Sequence, residues 1–89
     1  MRAVITVIGK DMVGILAGVS NICVERKVNI IEVTQSIMQD MFAMIMMVDI
    51  SGSDVPFATL RDDLTAFGEE NALSVHIMHE DIFNSMHRV

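Results

Sequence analysis

The sequence predicts one α+β domain in which four strands and two helices follow the order βαββαβ. Residues 2–8 and 42–50 are apolar at nearly every position, which is typical of strands covered on both faces. Residues 29–38 and 73–78 alternate better between apolar and polar side chains, as strands with one exposed face do. Residues 11–27 repeat apolar side chains at helical spacing, and a second segment with this period follows "SGSDVP".

Polar residues and a proline mark where the helices begin and end. Asp11 lies where the N-cap or a first-turn acid of the first helix is expected. Ser53 or Asp54 is expected to cap the second helix, with Pro56 in its first turn. Asn71 is expected to end that helix in a left-handed conformation.

The apolar residues of each element predict which side is buried. In the second strand, Ile31, Val33, Gln35 and Ile37 are expected on one side, opposite Ile30, Glu32, Thr34, Ser36 and Met38. The predicted buried stripes are Val13, Leu16, Val19 or Ser20, and Cys23 in the first helix, widened by Ile15 and Ile22, and Phe57, Leu60, Leu64 and Phe67 in the second. "QDM" at 39–41 predicts a hairpin turn, and residues 80–89 a short helical tail with Ile82, Phe83 and Met86 on one side.

Burial of the first and third strands on both faces puts them in the middle of the sheet. With right-handed crossovers this gives the ferredoxin-like order 4-1-3-2, with both helices on one face. The domain core is expected to span residues 1–79, followed by the tail at 80–89. The other face of the sheet needs apolar company, and "MFAMIMM" at 41–47 supplies an apolar surface. We therefore expect a homodimer, or a higher homo-oligomer, through the open face or an edge strand.

Composition argues against several classes of partner. The chain has 89 residues, a formal net charge of -6 and only six scattered Lys and Arg residues, so nucleic-acid binding is not expected. No apolar run approaches the roughly 18 residues that span a bilayer, and no signal peptide is evident. A single cysteine, Cys23, fits a reducing compartment, so a cytoplasmic location is expected.

The segment "GKDMVGI" at 9–15 is the most informative loop of the sequence. Gly9 and Gly14 have P-loop spacing, but Ile15 and Leu16 follow where a nucleotide-binding loop has Lys and Ser or Thr. What remains is a glycine-flanked loop at a helix N-terminus, which favours a carboxylate, and Asp11 could accept an ammonium group. On local pattern alone, a plain turn with a helix cap is the favoured interpretation of these residues.

Taken together, these motifs resemble the first half of an ACT domain. That family has a first strand that ends in G-x-D-x-x-G-[IL], followed by a helix and by V-N-I at the second strand. In this chain the motifs are Gly9, Asp11, Gly14 and Ile15, then Val28, Asn29 and Ile30. The βαββαβ order matches across residues 1–79, and the tail resembles the ending of small stand-alone ACT proteins of bacteria and archaea.

The resemblance implies a regulatory, non-catalytic module that binds an amino acid or a related metabolite between two subunits, without a cofactor. The loop of one subunit would face the second strand of its neighbour; the site would comprise Gly9, Lys10, Asp11, Met12, Val13, Gly14 and Ile15 with Asn29 and Ile30. Because no catalytic domain is present in the sequence, the module would signal in trans to an enzyme or regulator. Lys27 departs from the family, which more often has glycine or asparagine there.

Two other functions stay open at this point. An acylphosphatase-like hydrolase shares the ferredoxin-like fold, but its phosphate-holding arginine is replaced in the first loop by Lys10. A structural dimer without a ligand is the second alternative.

The remaining reactive side chains predict no catalytic or metal site. His76 and His79 are expected on opposite strand faces, and His87 could join them only if the tail folds back. Cys23 lies on a buried stripe and is expected in the core. Four acids of the second helix, Asp62, Asp63, Glu69 and Glu70, are expected to be solvated, and Met44, Met46 and Met47 to pack in the core or the dimer.

Overall fold

A computed structural model describes residues 1–10 and 14–86 as a four-stranded antiparallel sheet with three helices. The elements are β1 (Arg2–Gly9), α1 (Ile15–Glu25), β2 (Asn29–Met38), β3 (Met41–Asp49), α2 (Phe57–Glu70), β4 (Ser74–His79) and α3 (Glu80–Met86). The strand order is β2-β3-β1-β4, which is the predicted order 4-1-3-2 counted from the other edge. The ferredoxin-like prediction is therefore confirmed.

The core lies between the sheet and the pair α1 and α2. Alternate residues of the central strands point into it, and all of them are at most 2% exposed: Ala3, Ile5 and Val7 from β1, and Phe42, Met44, Met46 and Val48 from β3. Val19 and Cys23 of α1 and Leu60 and Leu64 of α2 cover them. Burying these apolar side chains is the main source of stability in so small a domain.

The opposite side of the sheet, which we call the open face, carries the other residues of each strand. In β3 these are Met41, Ala43, Ile45, Met47 and Asp49, so four of the seven residues of "MFAMIMM" lie on this face. Met47 accordingly stays outside the core that Met44 and Met46 share. Ile8 and Ile45 are 46% and 41% exposed, which leaves apolar surface in contact with water.

A β-bulge in β2 changes which isoleucine faces the core. The register shifts between Ile30 and Glu32, so Ile30 pairs with Val48 on the helix-covered face. Ile30 packs against the core, whereas Ile31 is 46% exposed. The predicted alternation of β2 is therefore wrong at Ile30 and Ile31, because strict period-two spacing allows no extra residue.

The helix α1 begins later than predicted. Its N-cap is Gly14 and its first residue is Ile15, whereas Asp11 lies outside the described residues. Of the predicted stripe, Val19 and Cys23 are buried but Leu16 is 40% exposed. Val13 also lies outside the described residues.

Left-handed residues end both long helices. After α1, Lys27 has φ 59°, and the Val28 N–H donates to the Cys23 carbonyl at 2.8 Å, which is a Schellman ending. After α2, the left-handed residue is Ala72, with φ 55°. The prediction that Asn71 takes this role is wrong: Asn71 has φ -113° and instead donates its side-chain amide to the Phe67 carbonyl.

The start of α2 also differs from the sequence prediction. Pro56 is the N-cap, without a side-chain cap bond. Ser53 bonds within its own turn, to the backbone of Val55, and so does not cap the helix.

The short helix α3 contacts β1 and β4. Its first residue, Glu80, forms an ion pair at 2.7 Å with Arg2, which lies on the open face. Val4 lies on this face and is fully buried, so α3 covers this corner. Phe83 is half-buried, whereas Ile82 and Met86 are 52% and 66% exposed, which corrects the expectation of one shared buried side.

Candidate functional site

The loop side of the predicted site begins where β1 ends. Gly9 pairs with Phe42 of β3, and a side chain at this position would overlap the end of the Leu73 side chain. Lys10 is exposed. Asp11, Met12 and Val13 lie outside the described residues, so their part in the site stays a prediction.

Gly14 brings the chain into α1 in a left-handed conformation, with φ 76° and ψ 0°. An L-residue with a side chain rarely adopts this φ, which explains a glycine here. Among the described residues, no atom lies within 4 Å of where a Cβ would be. Gly14 provides no side-chain acceptor to the helix, and Ile15 is only 3% exposed. Ile15 can therefore offer a ligand its backbone N–H but not its side chain.

The second part of the predicted site is the start of β2. Asn29 is exposed, and its residue pair on β3 is Asp49. Ile30 is half-buried and packs against the core. Only Asn29 of this pair therefore presents its side chain to solvent.

These two parts lie at opposite ends of the sheet. Gly9 is in register with Phe42, which pairs with Ile37 near the end of β2, whereas Arg2 is in register with Asp49 and Asn29. Seven residue steps along β1 separate Arg2 from Gly9, or roughly 24 Å at about 3.4 Å per step. One chain alone does not bring Gly9 and Asn29 together.

The end of the sheet that carries Asn29 is rich in polar groups. Asp49 accepts a hydrogen bond from the Ser51 N–H at 2.9 Å, and the ammonium group of Met1 lies 3.5 Å from it. The Ser51 backbone bond is the main reason that the pKa of Asp49 lies below its usual range, and the Met1 charge adds to it. A cavity of about 320 Å³ adjoins this end, lined by Met1, Arg2, His79, Glu80 and Asp81.

The other predicted side chains are placed as expected, with one exception. His79 stacks on Phe57 at the helix-covered face, with ring centroids 4.6 Å apart, and His76 contacts Ser74 at 3.1 Å on the open face. His87 lies outside the described residues. The exception is Asp63, which is half-buried and forms an ion pair at 2.9 Å with Arg26, the C-cap of α1.

Cys23 lies in the core as predicted, and burial raises the pKa of its thiol to about 11. Within residues 1–10 and 14–86, no three His, Cys, Asp or Glu side chains come together in a way that could hold a metal ion. No helix in the described part of the chain is both long enough and apolar enough to cross a membrane.

Comparison with known proteins identifies the family of this fold and loop. The family model for the ACT domain matches residues 2–78. The chain therefore belongs to the ACT domain family, whose members are regulatory ligand-binding modules. This confirms the resemblance that the loop and V-N-I motifs indicate.

Among relatives of full length, two come from different domains of life. The chain is 50% identical over 88 residues to a UPF0237 protein of Methanocaldococcus jannaschii, covering 99% of this chain and 98% of the relative. It is 51% identical over 89 residues to a UPF0237 protein of Clostridium perfringens, covering 100% of both.

Solved structures with this fold include one small protein and one larger enzyme. An ACT domain protein from Streptococcus pneumoniae superposes with a TM-score of 0.81 at 37% identity, covering 93% of each chain. A formyltetrahydrofolate deformylase from Pseudomonas syringae gives a TM-score of 0.78 at 23% identity. The match covers 88% of this chain but 27% of the deformylase, so that comparison concerns the fold alone.

Proposed function

We propose that this chain is a non-catalytic sensor of an amino acid or a related metabolite, which acts as a homodimer and signals to a partner protein in trans. The ligand lies between the loop of one protomer and β2 of the other. The proposed contacts are Gly9, Lys10, Asp11, Met12, Val13, Gly14 and Ile15 from the first, with Asn29 and Ile30 from the second. The whole chain acts as one domain, with residues 80–89 as its tail, and works in the cytoplasm.

The observation that carries this proposal is the position of the two half-sites at opposite ends of the sheet. A two-fold axis perpendicular to the strands reverses their direction, so the loop end of one protomer meets the Asn29 end of its partner. Such an isologous dimer contains two equivalent sites. Dimerisation is therefore required for the site to be complete.

Two surfaces of the chain support the pairing. The edge strand β2 has unpaired backbone groups on its outer side, and Ile31, Ile37 and Met38 are 46%, 61% and 60% exposed. The open face presents Ile8 and Ile45. Long apolar edges and bare sheet faces are normally covered in stable proteins.

The chemistry of the two half-sites suits a zwitterion. The first backbone N–H groups of α1 point towards its N-terminus, where they favour a carboxylate, and Gly14, the N-cap, has no side chain to block its approach. The Asn29 amide has both a donor and an acceptor, so it can bind either end of an amino acid. Asp11 remains the predicted acceptor for the ammonium group on the loop side.

The one thiol of the chain suits a structural role in the core rather than a chemical reaction. Cys23 is buried and its thiol has a raised pKa, so it is a poor nucleophile.

Ligand binding would shift the dimer between two arrangements, because the ligand binds one arrangement more tightly than the other. A partner protein that binds one arrangement better would then sense the ligand.

The experiment is a thermal-shift screen of the purified protein against each of the twenty amino acids. An amino acid at about 100 times its Kd adds roughly 2.7 kcal/mol to the free energy of unfolding. We expect a clear rise in Tm for one or a few amino acids, and a dimeric mass by light scattering.

The matched variants are Asn29→Ala and Gln35→Ala, which both remove an exposed amide from β2. We expect Asn29→Ala to abolish the rise in Tm and Gln35→Ala to retain it. A monomeric mass with every amino acid present, or no rise with any of them, would contradict the proposal.

A further inference from the structure

We infer that Asp49 is an additional ligand contact, which accepts the ammonium group of the amino acid and selects against acids that lack it. This inference rests on the proposed function, because it concerns the same site between two protomers. Asp49 lies outside the motifs that resemble the ACT family, and its role follows from its position beside Asn29.

The sheet register places Asp49 in the site. Asn29 and Asp49 are directly opposite each other on β2 and β3. Residues in this relation have Cα atoms about 4.5–5.5 Å apart and side chains on the same face. A small molecule that contacts the Asn29 amide therefore lies within reach of the Asp49 carboxylate.

Arg2, the neighbouring cationic side chain, leaves the Asp49 carboxylate available to a ligand. Arg2 is opposite Asp49 on β1, but its guanidinium is held by Glu80 at 2.7 Å. Within the described residues, no cationic side chain forms an ion pair with Asp49; its only charged partner there is the Met1 ammonium group at 3.5 Å. The Asp49 side chain is 42% exposed, so a ligand can approach it.

The carboxylate is also held in place and ionised. The Ser51 N–H donates to Oδ1 at 2.9 Å, which fixes the orientation of the side chain. An ionised carboxylate accepts up to four hydrogen bonds, so capacity remains for an ammonium group. The Ser51 contact also lowers the pKa of Asp49, so its charge persists at neutral pH.

This position defines the orientation of the ligand. The carboxylate of the amino acid lies at the N-terminus of α1 of one protomer. Its ammonium group, which has three N–H donors, lies between Asn29 and Asp49 of the other protomer and leaves a donor for the predicted acceptor Asp11. An acid without the amino group would make no charge-assisted hydrogen bond to Asp49, whose only charged partner among the described residues would stay the Met1 ammonium group. The site should therefore bind an amino acid at least tenfold more tightly than the same acid without its amino group.

The test compares Asp49→Asn with Asp40→Asn, which changes an exposed aspartate in the turn at the other end of β3. The probes are the amino acid with the largest rise in Tm and its analogue without the amino group, such as alanine with propionate. Each Kd is measured by calorimetry at pH 7. Far-ultraviolet circular dichroism confirms that both variants are folded.

We expect Asp49→Asn to raise the Kd of the amino acid at least tenfold and to bring the ratio to its analogue close to one. Asp40→Asn should change neither value more than twofold. If Asp49→Asn changes the Kd less than tenfold while Asn29→Ala abolishes binding, the role of Asp49 is wrong and the proposed function stands. If no amino acid binds the unmodified protein, both are overturned.

Discussion

Replacing Ala72 with glycine should stabilise the protein, although it removes a side-chain atom. Ala72 has φ 55°, in the left-handed region that costs an L-residue about 1–2 kcal/mol. The conformation is fixed by the end of α2, because the Leu73 N–H donates to the Gly68 carbonyl at 2.8 Å. Glycine relieves the strain but adds about 0.4–1 kcal/mol of entropy to the unfolded chain. The net expectation is a gain of about 0.5–1 kcal/mol.

Thermal and urea unfolding of the two variants Ala72→Gly and Ala66→Gly measure this effect. In a domain of this size, a gain of about 0.5–1 kcal/mol raises Tm by roughly 2–8 °C. Ala66 is an exposed residue inside α2, where the same substitution should cost about 1 kcal/mol. If Ala72→Gly destabilises the protein as much as Ala66→Gly does, the explanation from left-handed strain is refuted.

Three further predictions concern the core, the helix pair and the thiol. Leu64 is 1% exposed and Leu16 is 40% exposed. In denaturant unfolding, Leu64→Ala should lower the free energy of unfolding by about 2–5 kcal/mol and Leu16→Ala by less than about 1 kcal/mol. Equal losses would contradict the assigned core. The partly exposed Arg26–Asp63 pair should give a coupling energy of about 0.2–1 kcal/mol in a double-mutant cycle, and a larger value that survives 1 M salt would be unexpected. Burial raises the pKa of the Cys23 thiol from 9.0 to about 11, so the thiol ionises in the unfolded chain before it ionises in the folded protein as pH rises. The free energy of unfolding should therefore fall between pH 9.0 and about 11, and the variant Cys23→Ala should lack that part of the fall.

The strand order could be predicted because apolar content differs between central and edge strands. β1 and β3 are both buried on one face by α1 and α2, whereas on the other face α3 contacts β1, and Ile8 and Ile45 stay in contact with water. Their nearly continuous apolar sequences carry that information directly. The hairpin turn at Gln39 and Asp40 was equally clear, since it joins two well-defined strands.

The details that the sequence missed depend on contacts between distant residues. Asn71 is a common left-handed residue, yet Ala72 takes that conformation, because Leu73 must reach the Gly68 carbonyl as the chain enters β4. The bulge at Ile31 likewise depends on how β2 pairs with β3. In the sequence, Asp63 looks like the other exposed acids of α2. Only its ion pair with Arg26, the C-cap of α1, distinguishes it from them.

The candidate site shows the same limit. The loop from Gly9 to Gly14 and the position of Asn29 stand out in the sequence because they match a family pattern. Their separation at opposite ends of the sheet follows only from the register. Asp49 carries no sequence signal of its own, since it lies at the end of an apolar strand and meets Asn29 only through strand pairing.

Mixing two inactive variants shows whether two protomers share each binding site. Asp11→Ala disables the loop side, and Asn29→Ala disables the β2 side. In a mixed dimer, one site combines both defects and the other combines two intact halves. Calorimetry with the amino acid found in the screen would count the sites before and after the variants are unfolded together and refolded.

We expect no binding to either variant alone, and binding of about one amino acid per mixed dimer at the affinity of the unmodified protein. Because random refolding makes half of the dimers mixed, about a quarter of the original sites should return. If mixing restores no binding although mixed dimers form, each site belongs to a single chain, and the proposal that two protomers share it is wrong.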